Sequence, residues 1–102
     1  MAFNRSHLYS TKERQLSLYA NALGYPARPR IILQLTEEES YTVEELKKSH
    51  PLSASTISQH LKILREAALV NFEEEFPFTH YSLNHKNLAR LKKEFQLFIE
   101  RI

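Results

Sequence analysis

The stretch SASTISQHLKILREAALV, residues 53–70, carries an apolar stripe at helical spacing and a second face of a different kind. On a helical wheel Ile57, Leu61, Leu64 and Ala68 fall together, whereas Ser55, Gln59, Lys62 and Glu66 point away from them. Ser53 stands where a helix N-cap is expected. Ser55, Thr56, Ser58, Gln59 and Lys62 crowd hydroxyls, an amide and a cation onto one side. Such residues add little helix propensity and bury nothing, so that side is available to something outside the domain. His60 sits at the margin of the apolar stripe.

Working outward, Thr42-Val43-Glu44-Glu45 is a Ser/Thr-x-x-Glu capping box. It opens a helix of about two turns that ends near His50-Pro51. After Leu69 the apolar period changes from helical to alternating. Val70-Asn71-Phe72 and Thr79-His80-Tyr81-Ser82-Leu83 read as two short strands, joined through Glu73–Phe78. Leu88, Leu91, Phe95, Phe98 and Ile102 then recur at steps of three and four in a closing helix. At the other end, Thr11 is a candidate N-cap for a helix reaching Leu23, with Leu16, Tyr19, Ala20 and Leu23 at helical spacing, and Gly24 stops it. Pro26 suits the first position of a second helix through Ile31, Ile32 and Leu35, and Pro29 still lies in its first turn. The predicted fold is mainly α with a small β-hairpin wing, in the order α-α-α-α-β-β-α. A short helix, a tight turn and a second helix before a hairpin make a winged helix-turn-helix.

Composition bounds the function. The chain has 102 residues, 42% of them hydrophobic and 25% charged, which suits one globular domain over residues 1–102. It has no cysteine, so disulfides, thiolate metal sites and cysteine nucleophiles are excluded. Every acidic residue is Glu, which removes Asp-based calcium loops and Ser-His-Asp triads in their usual form. No signal-like segment opens the chain and no apolar run approaches a membrane span, so a soluble, cytoplasmic protein is the expectation. Net charge is only +2, but it is unevenly spread. Residues 1–35 carry five Lys/Arg against one Glu and residues 81–102 five against two, while residues 70–80 carry three Glu and no cation. A fold that gathers the basic segments makes a patch for a polyanion. No set of Ser, His, Lys and Glu converges on a catalytic arrangement, and an enzyme is not expected.

Three segments together resemble the ArsR-type bacterial winged-helix transcriptional repressors. ALGYPARPRIILQL (22–35) is similar to the family's Leu-Gly-x-Pro-x-Arg-x-x-Ile-Leu entry to the second helix. LSASTISQHLKILREAALV (52–70) resembles its recognition motif, Leu-Ser-x-Ser-Thr-Val-Ser-x-His-Leu-Lys-x-Leu-Arg-x-Ala-Gly-Leu-Val, and HYSLN (80–84) its wing-closing Tyr-x-Leu. The resemblance covers roughly residues 20–90 and implies a homodimer that inserts the helix of residues 53–67 into the major groove of an inverted-repeat operator. On that reading Gln59 pairs with adenine, and Lys62 reaches a phosphate or a guanine. Ser55, Thr56 and Ser58 contact phosphates or bases, and His60 and Arg28 are further candidates, each with a structural alternative as a packed or ion-paired side chain. The resemblance also assigns the dimer interface to the first and last helices, with Leu16, Tyr19, Leu91, Phe95, Phe98 and Ile102 as its candidate residues.

Two departures limit the carry-over. Family wings usually have Gly and cations at the tip, whereas FEEEFPFTH (72–80) has neither and carries three consecutive Glu, which phosphates repel. Pro77 is a candidate for a cis turn. The runner-up function is therefore a winged-helix interaction module that docks a protein partner through the acidic wing, residues 72–78, with weak or no DNA binding. The second departure concerns metals. The positions matching the family's closing-helix ligands hold His85 and Asn87, then Phe98 and Arg101, so no metal or other cofactor is expected there. A His80/His85 pair stays open at this stage.

Overall fold

A computed structural model describes residues 5–102. After a 3-10 turn (Ser6–Leu8) come α1 (Thr11–Ala22), α2 (Ala27–Gln34), α3 (Val43–Lys47) and α4 (Ala54–Glu66). The strands β1 (Val70–Glu75) and β2 (Phe78–Leu83) follow, and α5 (His85–Arg101) closes the chain. This is the mainly helical winged helix-turn-helix that the sequence predicts, in the expected order.

Caps define the helix starts. The Thr42/Glu45 box forms as read: Thr42 Oγ1 accepts from the Glu45 amide at 3.2 Å and Glu45 Oε1 accepts from the Thr42 amide at 2.8 Å. The cap of α1 is Ser10 rather than Thr11. Ser10 and Glu13 make a second reciprocal box, with both backbone amides satisfied by side-chain oxygens. Accepting these bonds lowers the pKa of both Glu13 and Glu45, since the charged carboxylate is the better acceptor. Pro26 stands one position earlier than read, at the N-cap of α2.

The core is built from the inward stripes of all five helices. Ile31, Leu46, Ile57, Leu61, Leu64 and Leu69 are completely enclosed. Each such aliphatic side chain contributes about 1.5–3 kcal/mol by leaving water. Tyr19 from α1 and Leu91 from α5 complete the same cluster, with Phe95 packed against it. Among the described residues, no helix is long and apolar enough to cross a membrane.

The wing differs from its sequence reading. β1 and β2 pair antiparallel from Val70↔Leu83 to Glu75↔Phe78, so the three glutamates lie within the strand and not in a loop. The turn is only Phe76-Pro77, joined by a cis peptide bond. Val70 and Leu83 anchor the base in the core, and the rest of β1 is exposed. Further contacts hold the hairpin to the body. Tyr41 and Tyr81 exchange backbone hydrogen bonds of 2.9 and 2.8 Å, and the Arg65 guanidinium lies 4.2 Å from the Phe72 ring centroid.

Candidate nucleic-acid interface

The exposed side of α4 is held in place by its buried side. Ile57, Leu61 and Leu64 lock the helix into the core, and Ser55, Ser58, Gln59 and Lys62 are left in solvent. Ser53 caps the helix by accepting from the Thr56 amide at 3.3 Å. Its hydroxyl also lies 3.2 Å from Ser55 Oγ and 3.0 Å from Thr56 Oγ1. The N-terminal turn therefore presents three clustered hydroxyls, a surface suited to phosphate oxygens and base edges. Thr56 is half-buried, so its hydroxyl belongs as much to the cap as to the surface.

Arg28 lies elsewhere than on an exposed face. It is 5% exposed, and its Nη2 donates to the Asn21 carbonyl at 3.3 Å. Its Nη1 lies 3.4 Å from His60 Nδ1, and the guanidinium sits 5.2 Å from the centre of the Tyr25 ring. This enclosed placement counts against reading Arg28 as a free phosphate-seeking cation. His60 is half-buried beside it, its ring 5.5 Å from that of Tyr25. Burial, then the Arg28 charge, lowers the His60 pKa. His50 is shifted the same way by burial, by Arg30 and by His60.

Arg30 is the exposed arginine of the pair, and its Nη1 donates to the Ser49 carbonyl at 3.2 Å. Gln34 bridges from the same helix to Ser49 Oγ and to His50 Nε2. These contacts clamp α2 onto the turn of the helix-turn-helix and so set the angle at which α4 is presented. Between this clamp and α4 lies a cavity of about 600 Å³ walled by Tyr25, Arg28, Arg30, His50, Gln59 and His60, among others. Sequence reasoning did not find Tyr25 or His50 as members of any site. No local signal marks them, because their neighbours come from distant parts of the chain.

The candidate dimer residues divide into three groups. Tyr19, 1% exposed, and Leu91 are enclosed in the protomer's own core, which corrects their reading as interface residues. Leu16 and Phe95 are half-buried. Phe98 and Ile102 are exposed, as are Leu18 on α1 and Leu97 and Ile99 on α5, and Leu16, Leu97 and Phe98 line one groove between the two helices. At the start of α5, Asn87 donates its side-chain amide to the Ala68 carbonyl at 2.9 Å, a structural use of a position matching a family metal ligand. Among the described residues, no three His or Glu side chains gather as a metal site.

Residues 25–71 match the family described as bacterial regulatory protein, arsR family. A biofilm growth-associated repressor from Agrobacterium fabrum is 31% identical over 77 residues, which are 76% of this chain and 65% of that protein. The chain thus spans just under two thirds of that relative's length. A crystal structure described as a possible transcriptional regulator for arsenical resistance is 38% identical, covers 82% of each chain and superposes with a TM-score of 0.71. The solution structure of a homodimeric winged helix-turn-helix DNA-binding domain from Mycobacterium bovis shares the fold at 21% identity and a TM-score of 0.70, covering 98% of this chain and 89% of that one. From the match over residues 25–71 together with the 38% identity over 82% of each chain, the chain belongs to the arsR family of bacterial regulatory proteins.

Proposed function

We propose that the chain is a sequence-specific DNA-binding transcriptional repressor, acting as a homodimer in the bacterial cytoplasm, where the chromosome lies. The observation that carries this reading is the exposed row Ser55, Ser58, Gln59 and Lys62 on a helix whose opposite face is wholly buried. A rigid helix bearing short polar groups at its N-terminal end and a cation one turn later is built to enter a major groove. Gln59 is the candidate reader of adenine and Lys62 the contact to guanine or phosphate. The Agrobacterium relative is a repressor, and the mycobacterial domain of the same fold is homodimeric.

The exposed apolar side chains Leu18, Leu97, Phe98, Ile99 and Ile102 of the first and last helices are the proposed dimer contact. Exposed apolar side chains of this size are costly to leave in water. A two-fold dimer places its α4 helices about one DNA turn apart, roughly 34 Å, and so selects an inverted repeat. The test is selection of bound sequences from a randomised duplex pool. Enrichment of an inverted repeat, lost in Gln59→Ala and Lys62→Ala, supports the reading. Weak, unselective binding that neither substitution changes overturns it.

A second reading rests on the wing. Phe76 is 98% exposed at the tip, Phe78 is half in solvent, and Glu73, Glu74 and Glu75 are all exposed beside them. An acidic strand ending in bare aromatics suits a basic protein partner better than a phosphate backbone. That partner's contact and DNA binding through α4 are compatible, because they use different surfaces.

A further inference from the structure

The cavity between Tyr25–Arg30 and α4 has the chemistry of a ligand site. Its volume of about 600 Å³ lies in the range of small-molecule pockets. Pro26, Pro51, Leu52 and Ile63 give it apolar walls, and the exposed Tyr25 ring stands at its side. Its ionisable lining is Arg28, Arg30, His50 and His60, together with the Tyr25 phenol; none of the described lining residues is acidic.

Arg28 is the central observation. Its guanidinium is enclosed, and the partners it has are neutral: the Asn21 carbonyl, the His60 imidazole and the Tyr25 ring face. Its Nε–H is buried with no acceptor at all. A buried arginine ordinarily has a carboxylate or another anion to offset its desolvation, and an unmatched donor adds to the cost. The neighbouring histidines are held toward their neutral forms by burial and by the adjacent cations, so the region has excess positive character and no counter-ion of its own.

We propose that this cavity binds a small organic anion, a carboxylate carried on an apolar body. The carboxylate is matched to Arg28 and to the His60 Nε2–H, and the apolar body to the prolines, Leu52, Ile63 and the Tyr25 ring. A backbone phosphate of DNA shares the anionic chemistry but has no use for the apolar walls, which is why the free ligand is favoured. The site stands independently of the DNA reading. Its regulatory consequence rests on that reading: Thr56 and Gln59 line the same cavity, so an occupant alters the groove-facing side of α4.

The test is a titration of the purified chain with benzoate, read by calorimetry and by NMR of the histidine ring protons. Saturable binding is expected, with the His60 and His50 signals moving together and with benzyl alcohol, the uncharged analogue, inert. Arg28→Gln weakens binding about tenfold or more, the usual size of a lost charge-assisted hydrogen bond. Tyr25→Ala removes an exposed ring outside the core and weakens it several-fold, which keeps the test open should the Arg28 variant fail to fold. Benzoate binding that survives in both folded variants, or no binding, overturns the proposal. So does a His60 response to inorganic phosphate and to duplex DNA without one to benzoate, which assigns the cavity to a backbone phosphate. Failure of the DNA reading looks different: no duplex binds, whatever benzoate does.

Discussion

Arg28 and His60, 32 positions apart in the chain, meet at 3.4 Å between Nη1 and Nδ1 and join α2 to α4. An arginine has only donors, so Nδ1 is the acceptor and the neutral ring carries its proton on Nε2. Protonating His60 removes that acceptor and sets two cations side by side in a half-buried place.

A pH dependence of stability follows. The folded-state pKa of His60, and of His50, lies below the ordinary value of 6.5. The unfolded chain therefore takes up protons first as pH falls, and this penalises folding. Thermal stability is expected to be flat above about pH 7 and to decline as pH drops below about 6.5 through the depressed folded values. Melting curves across that window check it. The decline is expected to shrink in His60→Gln and further in His50→Gln/His60→Gln. An unchanged slope in the double variant sinks the assignment.

Ala68 offers a gain. It has φ of 60°, the left-handed region, where an L-residue costs roughly 1–2 kcal/mol. Glycine removes that cost but gives back part of it through a more flexible unfolded chain. Ala68→Gly is expected to stabilise the fold by about 0.5–1 kcal/mol, seen as a rise in the urea midpoint with an unchanged slope. Ala68→Val should lower it.

Gln59 and Lys62 should fail differently. Lys62→Ala is expected to reduce the slope of log K against log salt by about 1, the signature of one lost phosphate contact. Gln59→Ala should leave that slope intact and relax base preference at one position of each half-site, by about 1–3 kcal/mol. Titrations of selected and mismatched duplexes at several salt concentrations separate the two. Identical behaviour of both variants contradicts the assigned roles.

The acidic strand should act at a distance. Replacing Glu73, Glu74 and Glu75 together by Gln removes three exposed negative charges without touching the core. Duplex binding is expected to tighten several-fold at low salt and to converge with the parent as salt screens the repulsion. Weaker binding in this variant means that the strand helps to hold DNA after all.

The two ends of the chain carry a fifth prediction. Phe98→Glu combined with Ile102→Glu should convert a dimer to a monomer in sedimentation velocity while the helical signal persists. Tyr19→Ala, by contrast, opens a hole in the core and should cost about 3–5 kcal/mol of folding stability, the usual range for a buried large aromatic. Dissociation by the Tyr19 change alone, with stability intact, reverses the roles.

What was legible in the sequence was whatever depends on near neighbours. The Thr42/Glu45 box and the Gly24 stop are patterns spanning a few residues, and each stands where it was read. Of the α4 stripe, Ile57, Leu61 and Leu64 are buried as read, whereas Ala68 lies past the helix end, exposed at φ 60°, because the chain turns there toward β1. The sequence points to Thr11 as the cap of α1, whereas Ser10 holds that position, because Glu13 reaches back to the Ser10 amide. The extent of β1 was hidden because Glu73–Glu75 are exposed there, so no apolar alternation marks them as strand. Tyr19 and Leu91 share a helical stripe with outward-facing residues, and the stripe alone does not say where the protomer's core ends. The Arg28–His60–Tyr25 cluster lies furthest from sequence logic, since it exists only once α2 has docked on α4.

The exchange of backbone hydrogen bonds between Tyr41 and Tyr81 has a mechanical consequence. It welds the base of the hairpin to the segment leading into α3, while Val70 and Leu83 pin the same base from the other side. These contacts oppose hinge motion at the root, and the outer rungs near Phe76 lack any such anchor to the core. Deuterium uptake should accordingly be slow at the Tyr81 amide and fast toward the tip.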